Sequence, residues 1–171
     1  TLDAFTGLGP GHISAYMLKI EEGTPFYRSH TERLCPDEDL TVELYLQTVE
    51  TLGRKGFGQY EISNFARPGE KSRHNLKYWR CQEYLGFGPA AHSFFQGHRF
   101  YHPRGLGAYL AARGKNWIGD GSGGSLEERL MLGLRLTEGV DPIQAGMGPK
   151  EARTFLEKVR RYQQRGLMEL A

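Results

Sequence analysis

The chain has 171 residues, 39% of them hydrophobic and 25% charged, and a formal net charge of only +2. That length carries a real core, the composition is globular rather than disordered, and the near-neutral charge argues against nucleic acid or an anionic membrane as partner. No apolar run approaches the roughly 20 residues of a bilayer-spanning helix, and no signal-peptide pattern opens the chain, so a cytoplasmic location is expected.

Glycine, at 23 residues, is the compositional outlier, and it is scattered at turns without a period. That fits an α/β chain with many short connections. Residues 1–11 read as the end of one element followed by a Gly/Pro connection. Residues 12–20 predict a strand, apolar on both faces as in a parallel sheet. Pro36, Asp37, Glu38 and Asp39 predict a helix start with proline in its first position. Val42, Tyr45, Leu46, Val49 and Leu52 then form its apolar stripe, and Gly56 its stop. Residues 57–63 follow as a second strand. Strand, helix, strand is a βαβ unit, which implies a parallel sheet with ligands beyond the carboxyl ends of its strands. Glu61, Ser63 and Asn64 are therefore expected near a site.

A polar loop over 67–73 delivers the chain to His74, and residues 84–88 predict a short strand ending in a glycine turn. Residues 94–102 read as a hairpin turning at Gln96 and Gly97, and 106–113 as a short helix. The stretch 120–124 reads as a linker. Beyond it Ser125 and Glu128 form a capping box, opening a helix to about Thr137. A last helix opens near Pro149 and closes at Gly166, with the basic residues between Arg153 and Arg165 on its solvated face. Two domains are expected, 1–119 and 120–171, and both ends of the chain look cut.

The chemistry concentrates between His74 and Ser93. On a helix, His74 and Tyr78 would share a face, and an imidazole flanked by aromatics suits haem iron. The alternative is a loop-capping histidine beside a tryptophan, Trp79, packed in a core, with Asn75 as a turn or cap residue. Gly86 and Gly88 either let backbone amides approach a ligand or simply make a tight turn. His92 is open between core and site, His12 reads as structural, and His30, His98 and His102 as surface residues. Glu61 is either functional or a hydrogen-bonded strand-end carboxylate. Cys35 and Cys81 lie too far apart in sequence for a metal-type spacing, so the chain by itself is not expected to hold an iron–sulfur cluster.

Five motifs carry a resemblance. They are His12-Ile-Ser-Ala-Tyr-x-Leu, Glu21-Glu-Gly-Thr-Pro, Tyr60-Glu-Ile-Ser-Asn-Phe-Ala-Arg-Pro-Gly, His74-Asn-x-x-Tyr-Trp and Tyr84-Leu-Gly-Phe-Gly-Pro-x-Ala-His-Ser. In this order they resemble the HemW-like proteins, haem chaperones of the radical S-adenosylmethionine (SAM) group related to oxygen-independent coproporphyrinogen III oxidase. The resemblance implies the C-terminal part of a partial (β/α) barrel followed by a small, mainly helical domain. It implies haem at His74, Asn75, Tyr78 and Trp79, with His74 as iron ligand, and SAM along Gly86, Gly88, Ala91 and Ser93. Haem-acceptor proteins would be the partners. A [4Fe–4S] cluster is implied only for the full-length parent, since the family's three-cysteine motif is absent here. Ala90 stands where these proteins commonly carry glycine. Two alternatives remain: part of an enzyme that oxidatively decarboxylates coproporphyrinogen, or an inactive truncated product.

Overall fold

The computed structural model describes residues 1–113 and 115–170. They fall into two compact units, Thr1–Ser72 and Arg73–Ala171.

The first unit runs α1 (Leu2–Gly7), β1 (His12–Ser14), α2 (Pro25–Arg28), a 3₁₀ turn (Thr31–Leu34), α3 (Glu38–Arg54), β2 (Gly58–Glu61) and β3 (Asn64–Ala66). Its sheet has the order β1-β3-β2, and β3 is antiparallel to both neighbours. The expected βαβ unit is therefore modified. β1 and β2 do run the same way with α3 between them in sequence, but an antiparallel strand is inserted between them in space. The turn that sends β3 back is only Ile62 and Ser63, which carries no Gly or Pro signal.

The strand expected over 12–20 stops at Ser14, because only His12, Ile13 and Ser14 find partners on β3. Tyr16, Met17 and Leu18 beyond it are more than half exposed. The helix start also moves. Asp37, not Pro36, flanks α3, and its carboxylate accepts from the Leu40 amide at 2.9 Å. Of the predicted stripe, Leu52 is fully buried and packs with Phe57 and Phe65, supported by Leu2, Ile13, Ala15 and Val49. Val42 and Leu46 at the other end of α3 are exposed.

The second unit runs α4 (Arg73–Trp79), β4 (His92–Phe95), β5 (His98–Tyr101), α5 (Leu106–Ala111), β6 (Ile118–Ser122), α6 (Leu126–Gly133) and α7 (Pro149–Gln163). Its strands form an antiparallel sheet, β4-β5-β6. The hairpin turns where expected, with Gln96 at φ 50° and Gly97 at φ 76°. That is the left-handed pair a two-residue hairpin turn demands. Residues 84–88 do not form a strand, since only Tyr84 bridges to Phe94. The stretch read as a linker is not one either. Residues 120–122 close β6, while Gly123 and Gly124 pass so near the Phe94 ring that an added Cβ would lie 2.8 and 3.1 Å from it. A boundary after residue 119 would cut that strand, whereas the compact units divide at residue 72. The Ser125 hydroxyl caps α6 by accepting from the Glu128 amide at 3.2 Å. This helix ends at Gly133, short of Thr137, where a Cβ would press on Val140 at 2.8 Å. α7 buries Ala152 and Val159 and leaves Arg153, Arg160 and Arg161 exposed.

Among the described residues no helix is long and apolar enough to cross a membrane. The core of the first unit is small, so each of its members counts. Leu52→Ala should lower stability by about 3 kcal/mol through lost burial and the cavity left behind, read as a fall in the urea midpoint at unchanged slope.

Candidate functional site

α4 brings the first group of sequence-selected residues together. His74 and Tyr78, one turn apart, meet edge to face at 4.9 Å between ring centroids, and His74 Nε2 and the Tyr78 hydroxyl are hydrogen-bonded at 2.9 Å. Tyr78 continues the series edge-on to Tyr84, centroid to centroid 4.5 Å. Burial, and less so neighbouring Tyr84, pushes the Tyr78 phenol above the usual tyrosine range, so it remains a neutral hydroxyl. His74 is exposed; Asn75 beside it is half-buried and engaged in contacts of its own. The imidazole is therefore reachable, with one nitrogen held by a displaceable hydroxyl.

Trp79 points elsewhere. It lies about 140° round the helix axis from His74, and the Arg135 guanidinium sits over its ring at 4.2 Å. Its indole Nε1 is buried and meets no partner among the described residues. Next to it Arg80 pairs with Glu138 at 2.9 Å. Trp79 thus fixes α4 within the helical part of the unit rather than flanking the His74 ring.

The glycine segment forms the second group, and its amides are already engaged. The Gly86 amide donates to Ser93 Oγ at 3.0 Å, and the Gly88 amide to the Tyr109 hydroxyl at 3.2 Å. Gly86 is required by close approach, because a Cβ there would lie 2.2 Å from the His92 carbonyl oxygen. Gly88 is required by conformation, at φ 108°. Ala90 adopts φ 60°, the left-handed region where glycine rests without strain. Ala91 is half-buried; its amide donates to the Gly88 carbonyl and its carbonyl accepts from the His102 amide at 3.0 Å. Ser93 is buried at 1% exposure, whereas His92 is exposed and stacks on Tyr101 at 5.0 Å.

Glu61 lies in the first unit. Its carboxylate is fully buried and accepts from the Ser63 amide at 2.7 Å and the Asn64 side-chain amide at 2.6 Å. It holds the irregular β2–β3 turn, where the register shifts between Gln59 and Glu61. His12 fits its structural reading, hydrogen-bonded to the Tyr60 hydroxyl at 2.8 Å.

Four residues with clear roles were not singled out by sequence: Tyr84, Tyr109, Arg135 and His102. The last had been read as a surface histidine and is in fact buried at 8% exposure. Strand alternation was the available signal, since His102, just past the end of β5, follows Phe100 at a two-residue spacing.

No three His, Cys, Asp or Glu side chains among the described residues are grouped to hold a metal ion. Cys35 and Cys81 are both free thiols. Burial pushes the Cys81 thiol up, reinforced by the charge of Glu128, so it is a poor nucleophile or ligand. Burial opposes the charge on Arg99, but its ion pair with Glu128 outweighs this and holds the guanidinium protonated.

The fold superposes on coproporphyrinogen III oxidase (HemN) from Escherichia coli, described as a radical SAM enzyme, with a TM-score of 0.70. That match covers 100% of this chain and 45% of the other, at 16% identity. The class is thus the radical-SAM fold, present in part. Sequence matches narrow it. A Synechocystis protein named heme chaperone HemW is 38% identical over 143 residues, 77% of this chain and 34% of that protein. A Mycobacterium tuberculosis protein of the same name is 33% identical over 161 residues, 88% of this chain and 41% of its own length. The mouse radical S-adenosyl methionine domain-containing protein 1, mitochondrial, is 36% identical over 151 residues. No protein-family model matches the chain. The chain belongs to the HemW-like proteins of the radical-SAM group, and it spans 33% to 41% of the length of these relatives.

Substitutions in the glycine segment should have opposite signs. Ala90→Gly relieves a left-handed alanine and should raise stability by about 1 kcal/mol. Gly86→Ala, facing a backbone oxygen that cannot swing away, should cost at least about 2 kcal/mol. Thermal and urea unfolding of the two variants against the parent chain provide the check.

Proposed function

We propose that this chain is the haem-handling, C-terminal part of a HemW-like chaperone, which binds haem and passes it to acceptor proteins. The observation that carries the reading is the α4 face. The histidine and tyrosine of the His-Asn-x-x-Tyr-Trp motif stand side by side on one helix, with the imidazole open to solvent. Haem is the cargo, and its iron takes an axial imidazole. His74 supplies that nitrogen. Tyr78 occupies Nε2 until the ligand arrives and must yield for ligation through it. A single neutral hydroxyl is a weak competitor, which suits a carrier that must later release what it holds. Asn75 and Trp79, the other motif residues, support the helix from the side.

In the same reading the glycine segment serves SAM. With the Gly86 and Gly88 amides turned to Ser93 and Tyr109, these glycines shape the loop, and Ala91 and Ser93 follow within it. Glu61 acts through the turn it holds. The [4Fe–4S] cluster implied by the radical-SAM class has no ligand set among the described residues, so radical chemistry would belong to the parent protein. A cytoplasmic site of action is part of this proposal. The alternative, oxidative decarboxylation of coproporphyrinogen, draws on likeness of fold alone.

Haem titration followed by visible absorption tests the proposal. The parent chain should bind saturably with a ligated-haem spectrum. His74→Ala should weaken binding roughly tenfold or more, each tenfold being about 1.4 kcal/mol. Tyr78→Phe should instead tighten it by about fivefold, since one net hydrogen bond of about 1 kcal/mol no longer competes. Identical binding by parent and His74→Ala would sink the reading.

A further inference from the structure

α7 carries charges that its own stability does not explain. Between Lys150 and Arg165 lie six basic side chains and two acidic ones, all of them exposed. Arg160 and Arg161 sit in the last turn, where a cation suits the negative end of the helix dipole. Lys150 stands in the first turn, where it opposes the dipole, and Arg153 follows close behind. Lys150 with Arg153, and Lys158 with Arg161, set like charges on neighbouring turns, which destabilises a helix.

Nothing in the fold neutralises this face. Among the described residues none of the six cations enters an ion pair. On α3 Glu50 and Arg54, four apart, do pair at 2.8 Å, yet Glu157, four residues from both Arg153 and Arg161, pairs with neither. The charge is also unevenly divided. Residues 1–72 carry 7 basic and 11 acidic side chains, and residues 73–171 carry 15 and 9. The near-neutral total hides a net +6 in the second unit, and the Lys150–Arg165 stretch supplies +4 of it. The other side of the helix buries Ala152 and Val159 and half-buries Phe155 and Leu156. α7 is thus held by its apolar side and presents cations along roughly 22 Å of the other.

We infer that this face docks an acidic protein surface, that of the haem acceptor; the inference rests on the chaperone reading and gives its partner a chemistry. A cationic face steers an acidic partner in and sets its orientation. A lipid surface fits less well, because α7 has no free apolar side to insert. A nucleic acid also fits less well. Glu157 stands between Arg153 and Arg161, where a phosphate backbone would meet a carboxylate and a protein surface can offer a cation.

The test titrates the ¹⁵N-labelled full chain, without haem, with apo-cytochrome b5, an acidic acceptor, and with apomyoglobin, a near-neutral one. The first should shift α7 amide signals saturably, with affinity falling about tenfold between roughly 50 and 200 mM salt. Apomyoglobin should bind at least about tenfold more weakly. Lys150→Gln, Lys158→Gln, Arg161→Gln and Arg165→Gln combined should weaken docking about tenfold and leave haem affinity unchanged. Arg28→Gln with Arg33→Gln, on the first unit, should change neither. If the fourfold variant does not fold, Lys150→Glu carries the test: it suits the helix dipole, so it should raise the unfolding midpoint while weakening docking about threefold. Equal binding of the two acceptors, unchanged affinity in the α7 variants, or no shift along α7 overturns the inference. Tighter α7-dependent binding of a short single-stranded DNA or of phosphatidylserine vesicles overturns it too, as does α7-dependent self-association. Because docking is read without haem, a failed haem titration strikes the chaperone reading, whereas failed docking beside normal haem binding strikes this inference alone.

Discussion

The second unit depends on one close contact. Gly86 passes the His92 carbonyl at a distance no side chain allows, and its amide bonds the Ser93 hydroxyl at the same crossing. That crossing holds the incoming chain, through the Tyr84–Phe94 bridge, against β4. It also sets where the loop through Gly88 and Ala90 meets Tyr109 and Pro103. The aromatic series of α4 follows from it, since Tyr84, placed by the bridge, backs Tyr78 and His74. A larger residue at Gly86 would move the bridge and the loop at once.

The α4 face combines a fixed helix with a histidine that is only lightly held. Trp79 under Arg135 and the Arg80–Glu138 pair anchor the helix. The exposed ion pair contributes little by itself, as surface pairs generally do. The anchoring comes from the ring and the guanidinium packed on it, where the partner is desolvated. His74, by contrast, is held among the described residues through Tyr78, by a hydrogen bond and an edge-to-face ring contact. Rigid support behind a weakly satisfied donor atom is the arrangement expected of a site that binds and releases.

The first unit is economical. Leu52, Phe57 and Phe65 are its fully buried apolar centre; the buried Glu61 and Asn64 bond each other at the turn, and the buried Tyr60 bonds His12 through its hydroxyl. A buried carboxylate is tolerable only with such partners, and Glu61 has two donors within 2.7 Å. Beyond β1 the apolar residues Tyr16, Met17 and Leu18 leave the sheet and stand exposed. Strand pattern without a pairing partner does not make a strand.

Local chemistry was legible in the sequence wherever it decided the outcome. The acidic first turn of α3, the capping box of α6, the Gln96-Gly97 hairpin and the i, i+4 meeting of His74 with Tyr78 each follow from a few adjacent residues. The motifs likewise carried the family, since side chains in that order are specific even where their contacts are unknown. What sequence left open was every choice made by distant partners. β3 inserted itself between two strands that looked like direct neighbours, because pairing rewards contacts that periodicity does not encode. The Asp120–Ser122 stretch looked like a linker, yet β5 gave it a ladder to join. Gly86 proved indispensable for backbone clearance, and the glycine amides turned inward to Ser93 and Tyr109. His102 was buried by its packing beside Tyr109, a residue seven positions away. Composition and spacing specify which groups are present and how each turn begins; which polar atoms are left without partners is a property of the packed chain alone.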